Sequence, residues 1–284
     1  MSIDQTGSFG VLSAFMSAKL DRGDLQIPML PTVATRVVSA ASDQNTSARD
    51  MAKIILADPA LAAQVMKVVT SAAYRPAQPI ESLHHAISWL GMTEVCELAF
   101  TAAVQGRLLN VPRQRLRVER LWGTAVGAAV WSRLIAEACG RGGESSYLAG
   151  LLHEIGVPVC LQACADLAQA SALPLSEPVL DGLLSQFKVQ IGVRVAREWK
   201  LPDSVLAVVE NWARWSTAEQ YQDACAVTYL AHVLAEHSLA GHAPLALALL
   251  DEPVVQHLGL HPAQLTALVA ESPRVSQTIQ SFRS

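Results

Sequence analysis

The sequence predicts an all-α protein of about a dozen helices in two packed lobes. Apolar residues recur at three- and four-residue spacing in almost every segment. Strand-type alternation and Asn-Gly hairpin turns are absent, and helix start signals repeat along the chain.

The elements follow in order. Phe9 to Leu20 is amphipathic and reads as a docking helix within an N-terminal extension, residues 1–24. Ser47 with Asp50 three residues on forms a capping box ahead of Met51, Ile54 and Ile55. Asp58-Pro59 places an N-cap before a proline at the first helical position, so two helices abut there. Asn110-Val111-Pro112-Arg113 is the expected joint between a sub-lobe at 25–110 and a second lobe at 111–240. Gly140-Arg141-Gly142-Gly143 reads as a helix stop and turn. Leu201-Pro202-Asp203-Ser204 opens a helix carrying Val205, Val208 and Val209. Glu252-Pro253 and Ser272-Pro273 start short helices in a C-terminal tail, residues 241–284, expected to pack on the second lobe.

The chain has 284 residues, of which 51% are hydrophobic and 16% charged, enough to bury a large core. The charged fraction lies below the roughly 25% of an average domain, which leaves room for an interface with a protein partner or a second copy of the chain. A net charge of -4 gives no general attraction for nucleic acid or an anionic membrane. Arg107, Arg113, Arg115, Arg117 and Arg120 form a local exception, read as a solvated connector rather than an anion site. Cys96, Cys139, Cys160, Cys164 and Cys225 lack metal-site spacing and read as free thiols of a reducing cytoplasm. No basic leader precedes Asp4, and no apolar run reaches the ~18 residues of a membrane span.

Ala149-Gly-Leu-Leu-His-Glu-Ile-Gly156 places an imidazole and a carboxylate side by side in an apolar helix, where both need partners. Trp199, Trp212 and Trp215 alternate with Arg194, Arg197 and Arg214, a pattern that packs helices or stacks a base and clasps a phosphate. His84-His85 cannot chelate one ion from adjacent helical positions and reads as surface. No phosphate loop, dinucleotide fingerprint or nucleophile elbow is present.

Several blocks in order resemble the HDOD family, a bacterial group related to HD-domain phosphohydrolases but generally lacking their metal ligands. Ile27-Pro28-Met29-Leu30-Pro31 is similar to its opening Leu-Pro-x-Leu-Pro. Ile54 to Leu61, containing Asp58-Pro59, leads to Thr70-Ser71-Ala72-Ala73-Tyr74, where Thr70 replaces the family's Asn. Ile80-Glu81-Ser82, Ala86-Ile87 and Leu90-Gly91 follow, then Gly150 to Gly156 around His153, then Trp199-Lys200-Leu201-Pro202. Most of these positions pack or turn, and Tyr74 reads as a core residue with a hydrogen-bonded hydroxyl.

The resemblance also implies where an active relative would hold its metal. The early His falls at Leu121-Trp122-Gly123-Thr124, which has none. The His-Asp pair becomes His153-Glu154, whose extra methylene exceeds the ~0.2 Å tolerance of a metal bond. The late Asp aligns with His232, and Gln190 and Asn211-Trp212 stand at the positions used for a second metal. At most His153, Glu154 and His232 remain. They read as a polar network locking the turn, with His153 bonded to Glu154, or as a degenerate metal site. The expectation is a non-catalytic bacterial signal-transduction module without cofactor, binding a regulatory protein or small signalling ligand. The alternatives are a residual metal-dependent phosphohydrolase or phosphodiesterase, and a nucleotide sensor without hydrolysis.

Overall fold

The computed structural model describes residues 3–41, 43, 45–74, 79–108, 111, 114–141, 145–241 and 246–283. No strand occurs among them. The helices are α1 (Ile3–Arg22), α2 (Thr32–Ala41), α3 (Ala48–Leu56), α4 (Pro59–Val69), α5 (Leu83–Leu90), α6 (Met92–Leu108), α7 (Arg115–Ala138) and α8 (Ser146–Leu152). They continue with α9 (Gly156–Ser171), α10 (Glu177–Glu198), α11 (Asp203–Asn211), a 3-10 segment at Trp212–Thr217, and α12 (Gln222–Leu239). The tail forms α13 (Ala246–Leu249), α14 (Pro253–Leu258), α15 (Pro262–Ala270) and α16 (Ser272–Arg283).

The start signals work as their chemistry requires. Ser47 Oγ accepts from the Asp50 amide, and the Asp58 carboxylate accepts from the amides of Ala60 and Leu61. Each satisfies donors that the first turn leaves open. Gly91 ends α5 at a φ of 89°, and Gly140 follows α7 at 63°, conformations that disfavour a side chain. Residues 142 and 143 of the expected stop lie outside the described residues. So do 110, 112 and 113 of the expected joint, whereas Val111 is buried.

Helix α7 is the axis of the second half and packs against α8, α12 and α16. Gly123 and Gly127 permit this, since a Cβ at either would come within 2.9 Å of Leu239 or Ala235 side-chain atoms on α12. Helix α16 also touches α4, and Gln105 Nε2 donates to the Phe282 carbonyl at 2.7 Å. The tail therefore joins both halves, and the buried apolar side chains form one continuous cluster.

Helix α1 docks within its own chain, against α9 and α10, and buries Leu12 and Met16 completely. Arg194 on α10 closes its C-terminal end by donating to the carbonyls of Leu20 and Gly23. Ser146–Ser171 is long and apolar enough to cross a membrane, but 78% of its apolar window is buried in the fold.

Candidate functional site

The His-Glu turn connects α8 to α9, and two glycines let it sit deep between neighbours. A Cβ at Gly150 would stand 2.4 Å from the Ala128 carbonyl on α7. One at Gly156 would stand 1.9 Å from the Lys188 carbonyl on α10. Only hydrogen fits at these crossings, so the sequence Gly-Leu-Leu-His-Glu-Ile-Gly fixes where the turn lies.

Inside it, His153 is 2% exposed. Its Nδ1 lies 2.7 Å from the Gly150 carbonyl, which can only accept, so Nδ1 carries the proton and Nε2 holds the lone pair. That lone pair faces His232 Nδ1 on α12 at 2.9 Å, and His232 donates. Trp212 closes the pair from above, edge-to-face with His153 at 4.8 Å and tilted against His232 at 4.5 Å. Burial pushes the His153 imidazole down to about 4, and burial also lowers His232. The bond requires an unprotonated Nε2 on His153, and burial favours the neutral form of both rings.

The expected bond between His153 and Glu154 does not form. Both His153 ring nitrogens are taken by Gly150 and His232, and Glu154 instead pairs with Lys188 of α10 at 3.3 Å. Thr124, at the early-histidine position, is buried and donates its hydroxyl to Glu236 at 2.8 Å. Burial opposes ionisation of Glu236, but Thr124 and then Arg120 hold its carboxyl below the usual range. Beside these groups a groove of about 630 Å³ opens between α7, α10 and α12, with Arg117, Arg120, Lys188, Glu154, Asp181 and Glu236 on its walls.

Donor atoms of His153, Glu154 and His232 lie within 4.8 Å of one another, close enough to surround one ion. In this arrangement, however, the two histidines are already bonded to each other. A tetrahedral ion at about 2.05 Å from two imidazoles separates their nitrogens by about 3.3 Å, and an ion would also have to displace the proton between them. Lys188 supplies Glu154 with a cation already, and Thr124 offers a hydroxyl committed to Glu236.

The other sequence candidates are placed as follows. Trp199 is buried and donates its indole N–H to the Pro28 carbonyl at 2.8 Å, while Arg194 is spent on α1. Trp215 packs on Tyr229 and His257, and Arg197 and Arg214 are exposed. The Trp/Arg pattern thus serves three different contacts: the N-terminal segment, the histidine pair and the end of the 3-10 segment. Tyr74 lies beneath the Arg274 guanidinium at 5.5 Å. Asn211 donates to the Ala207 carbonyl, and Gln190 is exposed. Pro31 and Asp58 border a surface cavity, and Ser71 Oγ is buried. His84 is exposed and His85 half-buried. Among the basic residues, Arg115 pairs with Glu119, Arg117 with Asp181 and Glu177, and Arg120 with Glu236. The Arg107 side chain and Arg113 lie outside the described residues.

Two members of the site were missed in sequence. Glu236 stands four residues after His232 on the same helical face, a spacing that could have pointed to it. Lys188 carries no such signal, because only the α9–α10 crossing brings it to Glu154.

Comparison with known proteins bears on the fold and the family. The chain is 25% identical over 206 residues to an uncharacterised protein of Treponema pallidum (strain Nichols), covering 70% of this chain and 39% of that relative. It therefore spans well under half the length of that curated protein. Among solved structures, an HDOD domain protein with unknown function from Geobacter sulfurreducens superposes with a TM-score of 0.71 at 20% identity, covering 98% of each chain. A Shewanella amazonensis SB2B protein, named for a proposed metal-dependent phosphohydrolase activity, gives 0.69 at 22% identity, covering 96% of this chain and 99% of the other. A Marinobacter aquaeolei VT8 protein, named for a proposed role in signal transduction, gives 0.69 at 21% identity over 97% and 66%. At these identities the likeness speaks for the fold. The HDOD domain model itself matches residues 27–214, most of the chain and all of the turn, and the protein belongs to the HDOD domain family.

Proposed function

We propose that this chain is a non-catalytic signal-transduction module in which the HD-like turn is a structural lock, and that it acts by binding a regulatory protein or a small signalling ligand. One observation carries the reading: the His153 lone pair, which would ligate a metal, is spent on His232. The five cysteines are free thiols, which fits a reducing cytoplasm. Glu154 is paired with Lys188, so it is not a free carboxylate ready to serve as a base.

The second reading, a residual metal-dependent phosphohydrolase, is favoured by the mutual reach of His153, Glu154 and His232. The two are separated by phosphoesterase assay of the whole chain with added Mn, Fe or Zn, alongside a His153→Ala protein. Equal background rates support the module. Turnover lost in His153→Ala would establish the enzyme.

A further inference from the structure

A further cavity, of about 160 Å³, lies between α2, α6 and α8, away from the histidine pair. Its floor is Val37, Phe100 and Tyr147, all buried, and its mouth is Val38 and Thr93, both exposed. It opens to solvent at this mouth, and its volume is close to the roughly 150 Å³ at which an apolar cavity holds benzene.

The lining states what the guest should be. Two aromatic rings favour a third ring packed edge or offset against them. Cys96 adds a polarisable sulfur, and burial pushes its thiol up to about 12, so it offers a soft surface and no nucleophile. The Tyr147 hydroxyl is already bonded to Thr101 at 2.9 Å. Glu97 is the one charged group on the wall. Its Oε2 accepts from Arg133 at 2.7 Å, and the carboxylate keeps capacity for a further donor. With Arg133 occupied by Glu94 and Glu97, the described residues of the lining offer no cation to an anionic guest.

We propose that this cavity binds a small neutral aromatic molecule with one hydrogen-bond donor, of the phenol class, its ring against Phe100 and Tyr147 and its hydroxyl donating to Glu97. The site is independent of the proposed function above and stands whether or not the chain has activity. Tyr147 and Leu148 belong to α8, whose C-terminal end delivers His153, so an occupant touches the helix that carries the turn.

Calorimetric titration of the whole chain with phenol, toluene and benzoate tests it. At pH 8, above the value of about 7 to which burial pushes Glu97, phenol binds at one site with Kd of about 1 mM or tighter, toluene severalfold more weakly, and benzoate at least about tenfold more weakly, because its carboxylate meets ionised Glu97. Val38→Trp places an indole at the exposed mouth and weakens phenol about tenfold with thermal melting retained; Thr93→Trp serves the same purpose if the first variant melts early. No phenol binding up to about 10 mM, benzoate binding equal to phenol, or unchanged binding in a folded mouth variant overturns the assignment.

Discussion

His153 Nε2 and His232 Nδ1 stand 2.9 Å apart, joined by a hydrogen bond that bridges 79 residues of sequence and ties the turn after α8 to the middle of α12. Because His153 gives its other nitrogen to Gly150, the two rings form a directional chain from His232 through His153 to the α8 backbone. Removing either ring leaves a buried partner unsatisfied. His153→Ala is expected to cost about 2–4 kcal/mol, and a His153/His232 double-mutant cycle to show about 1–2 kcal/mol of coupling by urea denaturation. Additive losses would mean that the bond contributes nothing.

The neutrality of His153 makes stability depend on acid. Its folded value of about 4 lies below the unfolded 6.5, so between these limits the unfolded chain binds the extra proton. The contribution is fully present above pH 6.5 and is lost as pH falls toward 4, about 3 kcal/mol for this group. His232, also lowered, acts in the same direction. Glu97 acts oppositely: burial pushes it up to about 7, so its effect reduces stability as pH rises from 4.5 to 7. The measurement is therefore a difference. Wild type should lose more stability than His153→Gln between pH 6.5 and 4, and parallel curves would contradict the assignment.

Arg133 on α7 holds Glu94 at 3.0 Å and Glu97 at 2.7 Å, with all three side chains at most 16% exposed. Breaking such a group leaves carboxylates buried without a counter-charge. Arg133→Met should cost about 3–5 kcal/mol, well above Arg274→Met, whose side chain is 33% exposed. Chemical denaturation of the two variants checks the order.

Two glycines give opposite expectations for the same change. Gly156→Ala drives a Cβ into the Lys188 carbonyl and should cost about 3 kcal/mol or more, displacing Lys188 from Glu154. Gly7→Ala, in α1 with nothing near its added methyl, should leave stability unchanged or raise it by up to about 1 kcal/mol. Thermal melting of both proteins decides whether the α9–α10 crossing positions the turn.

The parts legible in sequence are those with local causes. Ser47, Asp58 and the prolines at 59 and 253 set helix starts through their own backbone geometry, and the start of α11 after Pro202 follows the same logic. The turn itself was legible because glycine, histidine and glutamate are conspicuous in an apolar run. The wiring of the site was not. Whether His153 bonds to Glu154 or to His232 depends on how α8 and α12 meet across α7, and Lys188 reaches Glu154 only through the crossing at Gly156 and Gly192. The partners of the Trp/Arg pattern were hidden for the same reason, since helix directions sent Trp199 to Pro28 and Trp212 to the histidines.

Elemental analysis of protein purified without chelators or a metal-binding tag, beside its His153→Ala variant, is the most direct test of a histidine pair that serves as a lock. The account predicts no stoichiometric transition metal in either protein. Near-stoichiometric Fe, Mn or Zn in the wild type, lost in His153→Ala, would contradict it.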